Sequence, residues 1–153
     1  LADPKSDDPI ARQSTRIAAV ATRNGQSTYD LRDYRKIFNV PDLPAEEALF
    51  PMFAVTDSTG WNDPHVHELM EDASPINHLT KDDAPVYMNY TRGDLFVNLE
   101  TKSGVWVHHV KLGLHLQKAM KSLGMECSVV SPEHTETRYG SFETFLIEKL
   151  TNG

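Results

Sequence analysis

Between Ala84 and Ser131 the sequence switches from one periodicity to another and back, and this restricts the fold more than any other feature. Val86 to Tyr90 is a short apolar run opened by Pro85. Val105 to Leu123 follows with helical spacing, placing Leu112, Leu116, Ala119, Met120 and Leu123 on one face. Gly124 stands where a helix-ending glycine belongs, behind Lys118 and Lys121. Met125 to Ser131 is a second apolar run, ended by Pro132. Strand, helix and strand in that order form a crossover unit, which joins parallel strands.

The flanking sequence extends the pattern. Thr15 to Thr22 has strand length and lacks polar alternation, as a strand covered on both faces should, and Asn24-Gly25 supplies a turn after it. Leu31 to Phe38 reads as a helix with Leu31, Tyr34 and Phe38 on its buried face, stopped by Pro41 and Pro44. Leu43 to Phe53 is a second helical piece interrupted by Pro51, and Thr56 to Pro64 is loop. A helix starting at Asp63 or Pro64 ends before Ala73-Ser74-Pro75. The last helix spans Gly140 to Leu150 and is expected to bury Phe142, Phe145, Leu146 and Leu150. Residues 1–14 read as an irregular connection.

The expected class is therefore α/β, with about three parallel strands and crossover helices. Residues 31–80 form an irregular helical excursion of the kind that serves as a lid. So small a sheet has an edge that wants a neighbour, and Thr15 to Thr22 is the edge expected to drive self-association.

Bulk properties narrow the function. A net charge of −7 argues against binding nucleic acid by phosphate neutralisation. No run approaches the roughly 20 apolar residues of a membrane span. The single cysteine, Cys127, leaves no intrachain disulfide and no cysteine-based zinc site, and its apolar context suits a small buried hydrophobe.

Asp94 is the first candidate for chemistry. It lies four residues past the end of the run at Tyr90, at the sheet rim where ligands collect in open α/β folds. Among the seven histidines, His65 and His67 form an H-x-H pair, while His108, His109 and His115 share one helical stretch. Separations of six and seven residues among the latter do not give the i, i+3 or i, i+4 pairing that metal ligands on a helix prefer. No metal site is expected, although a metal-binding domain using these histidines is a third reading. His108 and His109, near the helix start, are expected to face the rim on the substrate side. Trp61, Trp106, Tyr29 and Tyr139 fit packing anchors better than a pocket lining. Ser141, in Gly140-Ser141-Phe142, has the placement of a helix N-terminal residue rather than a nucleophile.

Several phrases resemble the C-terminal half of an α/β-hydrolase of the esterase/lipase branch. Ser74 to Asp94, SPINHLTKDDAPVYMNYTRGD, is similar to the stretch leading into that family's triad acid. Asp94-Leu95-Phe96-Val97-Asn98 fits the register after the acid, with Asn98 in place of the usual Pro. Leu123 to Val130, LGMECSVV, resembles the glycine turn and last strand, after which His134 matches the triad histidine. The N-terminal phrase SDDPIARQSTRIAAVATRNGQSTYDLR is similar to the connection leaving the nucleophile's helix, as in bacterial esterases acting on carbohydrate esters.

The resemblance implies a partial domain over residues 1–153, with Asp94 and His134 as triad acid and base. It implies ester hydrolysis without a cofactor, with the nucleophile carried on an N-terminal half or the chain joined to another copy. None of the eight glycines stands in a G-x-S-x-G motif, and only Pro132-Glu133 separates the last strand from His134. This chain alone is thus expected to be inactive. The alternative is a non-catalytic, hydrolase-like module that associates through its sheet edge.

Overall fold

The computed structural model describes residues 3–14, 16–135 and 138–151. Three parallel strands, β1 (Val20–Arg23), β2 (Val86–Asn89) and β3 (Cys127–Val130), lie side by side in chain order. Val20 is level with Val86, and Val86 with Cys127. Because side chains alternate across a strand, this register puts Val20, Thr22, Val86, Met88, Cys127 and Val129 on one face. Ala21, Tyr87 and Ser128 point to the other.

Helices cover both faces, as parallel sheets require. The helix α5 (Val110–Ser122) packs Leu116 and Met120 against Met88, Cys127 and Val129. On the opposite face α6 (Phe142–Thr151) buries Phe145 against Tyr87 and Tyr139, their rings 5.5 Å and 5.1 Å away. The class is α/β, as the alternating periodicities require.

Between β1 and β2 run α1 (Leu31–Phe38), α2 (Leu49–Met52) and α3 (Pro64–Ala73), with short 3-10 turns at Gly60–Asn62 and Pro75–His78. Asp30 caps α1 by accepting from the Arg32 N–H, and Asn39 ends it in the left-handed region. Asp63 caps α3, with Pro64 at its first position. The excursion has its own apolar core around Leu31, Leu49, Phe53, Trp61, Val66 and Met70. Tyr34, Phe38 and Leu43 then seat it against Trp106, Val107 and Leu112.

Three expectations need correction. The first strand starts at Val20 instead of Thr15, which lies outside the described residues. Its first ladder bond runs from the Val20 N–H to Pro85 O, and Pro85 has no N–H to extend the ladder backwards. The long helix is two helices, α4 (Ser103–Trp106) and α5, because His109 adopts extended backbone angles and caps α5 with its own ring. In α6 Leu150 is 66% exposed, while Phe145 is fully buried. Gly124, at φ 76°, does close α5, with its N–H on Lys121 O and the Met125 N–H on Met120 O.

Candidate functional site

At the carboxyl edge of the sheet β2 delivers Tyr90 and then the loop Thr91–Asp94. The Tyr90 N–H donates to Val130 O at 2.7 Å, and its hydroxyl donates to Gly25 O at 2.6 Å. Asn24, in the left-handed region, accepts the Thr91 N–H at its Oδ1 and faces His108 Nδ1 with its carbonyl, 2.9 Å away. The exits of β1 and β2 and the residues before α5 are thus tied at one residue.

The Asp94 carboxylate is 44% exposed, with Oδ1 3.6 Å from Lys111 Nζ and 3.7 Å from His109 Nε2. His109 is buried edge-on to Phe38. Its Nδ1 accepts the Lys111 N–H at 3.1 Å, so the ring hydrogen sits on Nε2 and is donated to Leu95 O at 2.9 Å. Burial pushes the His109 pKa below the usual histidine value, against weaker upward pulls from the Leu95 carbonyl and Asp94. A neutral ring with both nitrogens engaged pins the acid loop to the start of α5.

His134 follows β3 in a tight turn, where Ser131 and His134 exchange backbone hydrogen bonds of 2.8 Å and 3.1 Å. The buried Ser131 hydroxyl lies 3.0 Å from His134 Nδ1 and 3.2 Å from Glu133 Oε2. That same Glu133 oxygen accepts the Asp94 N–H at 3.3 Å. Glu133 therefore bridges the Asp94 loop and the His134 turn.

The structure brings Asp94, His108, His109 and His134 to one end of the sheet. Asp94 and His134 occupy neighbouring loops joined by Glu133. Among the described residues the charged partner of Asp94 is Lys111, with the neutral His109 ring alongside, while the His134 ring contacts Ser131. His108 is exposed, whereas the His109 ring is enclosed. Sequence reasoning missed Glu133, Ser131 and Lys111, which carry no periodicity. The available signal was Ser131 itself, a hydroxyl that can bond backbone N–H groups one turn ahead.

The other candidates stand apart. Ser141 accepts the Thr144 N–H and caps α6. His67 Nε2 bonds Trp61 O and His65 sits 3.7 Å from Glu68. Among the described residues no group of three His, Cys, Asp or Glu side chains could hold a metal ion. Trp61, Trp106 and Tyr139 are packed in the cores, with Tyr29 partly buried beside Trp61. Burial pushes the Cys127 thiol up to about 11. An apolar groove of about 540 Å³, lined by Val20, Thr22, Met88, Leu116 and Met120, lies between β1 and α5 and includes neither Asp94 nor His134. Among the described residues no helix is long and apolar enough to cross a membrane.

No family model, curated protein or solved structure matches the chain.

Proposed function

We propose that the chain is the part of an α/β-hydrolase-type serine esterase that supplies the triad acid and base for carboxylic-ester hydrolysis. One observation carries this reading. Asp94 and His134 leave the carboxyl ends of adjacent parallel strands, and Glu133 draws their loops together. In this role His134 takes the proton of a serine hydroxyl and Asp94 supplies the negative charge that favours the imidazolium formed. Lys111 and His109 hold the acid until a bound nucleophile segment completes the site. His108, exposed on the same rim, stands on the substrate side. The serine and its oxyanion donors come from a segment carrying G-x-S-x-G, which these residues lack.

A second reading is favoured by a different feature. The outer edge of β1 has no strand neighbour among the described residues, and the apolar groove runs beside it. A non-catalytic module would use that edge for association.

A short-chain nitrophenyl ester assay tests the first reading. The chain alone should give no turnover. Joined to a segment encoded upstream that carries G-x-S-x-G, it should turn over, and Asp94→Asn or His134→Ala should each abolish the activity. Turnover by the chain alone that survives Ser141→Ala, or full activity in the joined Asp94→Asn variant, overturns the assignment. Absence of an upstream motif together with self-association favours the second reading.

A further inference from the structure

We infer that Glu133 is a positioning residue that sets the tautomer of His134 through the Ser131 hydroxyl. The inference rests on the esterase reading for its purpose, but not for its geometry.

Ser131 Oγ has one hydrogen to donate and two lone pairs to share. The backbone N–H groups of Glu133, at 3.3 Å, and of His134, at 3.2 Å, both reach it, and two such long bonds can share one lone pair, leaving the other for a further donor. The hydroxyl hydrogen can go to Glu133 Oε2, 3.2 Å away, or to His134 Nδ1, 3.0 Å away. These two choices give His134 opposite tautomers. If the hydroxyl points at the imidazole, Nδ1 is an acceptor and the ring hydrogen sits on Nε2. If it points at Glu133, Nδ1 must carry the hydrogen and donate it to Ser131 Oγ, leaving Nε2 with a free lone pair.

The charged acceptor decides between them. A hydrogen bond to a carboxylate is about twice as strong as one between neutral groups. The Glu133 carboxylate is also held in place, because Oε2 accepts the Asp94 N–H. The space it occupies is open only because residue 93 is glycine: a Cβ there would lie within van der Waals overlap of the Glu133 carboxylate. The Ser131 hydrogen is therefore directed to Glu133, and His134 is kept as the Nδ1–H form. That is the tautomer a general base needs, since the nitrogen that takes the proton must start without one.

Asp94 is not within bonding distance of His134 among the contacts described, so Glu133 sets the tautomer before any nucleophile segment is bound. The relay runs carboxylate, hydroxyl, imidazole, with no proton leaving any of them. Glu133 touches no substrate and acts only through Ser131.

Imidazole ¹⁵N spectra of the whole chain, recorded at alkaline pH, read the tautomer directly. The wild-type protein should show His134 protonated at Nδ1. Glu133→Ala should move the hydrogen to Nε2, because the freed hydroxyl then donates to Nδ1. Ser131→Ala, which removes the link, should do the same, and the dispersion of the amide spectrum checks that each variant is folded. A wild-type His134 protonated at Nε2, or one still protonated at Nδ1 in either variant, overturns the proposal. Neither outcome depends on ester turnover, so the relay can fail while the esterase reading stands, and the reverse.

Discussion

The ring of Tyr90 occupies the space that a side chain at Gly113 would need: a Cβ on Gly113 would lie 2.4 Å from Tyr90 Cε2. Tyr90 is fixed at both ends, by its N–H on Val130 O and its hydroxyl on Gly25 O, so it cannot yield. The close approach of α5 to the end of β2 depends on this glycine. That approach also sets how near His109 and Lys111 come to Asp94.

In an ordinary helix interior, glycine to alanine stabilises by up to about 1 kcal/mol. Here the ring contact should reverse the sign, and Gly113→Ala should destabilise by about 1–3 kcal/mol through overpacking. Urea unfolding measures it, and a variant more stable than the parent would show that α5 can move away freely.

His109 should matter for stability before it matters for chemistry. His109→Ala removes the α5 cap and leaves Leu95 O without its donor, costing about 2–3 kcal/mol together. Asn caps well but cannot reach Leu95, so His109→Asn should recover about 1 kcal/mol of that loss. Equal midpoints for the two variants in denaturant would rule out the capping share.

A pH dependence follows from the same burial. The pKa values of His109 and His115 are both lowered, chiefly by desolvation. Below the unfolded value of about 6.5 the unfolded chain binds protons that the folded chain refuses, so stability falls as pH drops. Above that value the contribution is fully present. His115 Nδ1 is buried without a hydrogen-bond partner among the described residues, so His115→Leu should flatten the slope below about pH 6.5. The denaturant midpoint measured across this range checks the direction, and an unchanged slope would rule out His115 as a contributor.

The elements most legible in the sequence are those whose signals are local. α1 spans the residues expected of it, Leu31–Phe38, because Asp30, the i, i+3, i+7 apolar face and Asn39 all agree. The crossover from β2 to β3 was equally plain. The break at Val107–His109 was not, since its cap is a histidine ring outside the usual Ser, Thr, Asp and Asn set. The Asp94 rim position was readable from strand length alone. Its partners were not, because Glu133 reaches it across 39 residues of chain through the β2–β3 pairing and Lys111 across 17 through the packing of α5 at the end of β2.

Gly93 tests how firmly the two loops are joined. Gly93→Ala should expel the Glu133 carboxylate, whose oxygens lie where the new methyl group would go. The site is on the surface, so the change in stability should stay within about 1 kcal/mol. The Asp94 amide, which loses its acceptor, should shift in the ¹⁵N–¹H spectrum by far more than amides of α3. An unmoved Asp94 signal would mean that the Glu133 contact contributes nothing to the acid loop.

The edge of β1 gives the last prediction. The Val20 and Asn24 N–H groups donate to Pro85 O, just before β2, and to Asn89 O at its end. Strand alternation then turns the N–H groups of Ala21 and Arg23 outward, where no strand among the described residues accepts them. Beside them Ile17 is 68% exposed and the apolar groove begins. The isolated chain should self-associate through this edge, with sedimentation showing a concentration-dependent dimer. Ala21→Pro removes an outward donor without touching the bonds to β2, so it should give a folded monomer. A parent chain that stays monomeric at high concentration would remove the support for the association reading. A dimer that persists in Ala21→Pro would place the contact on another surface.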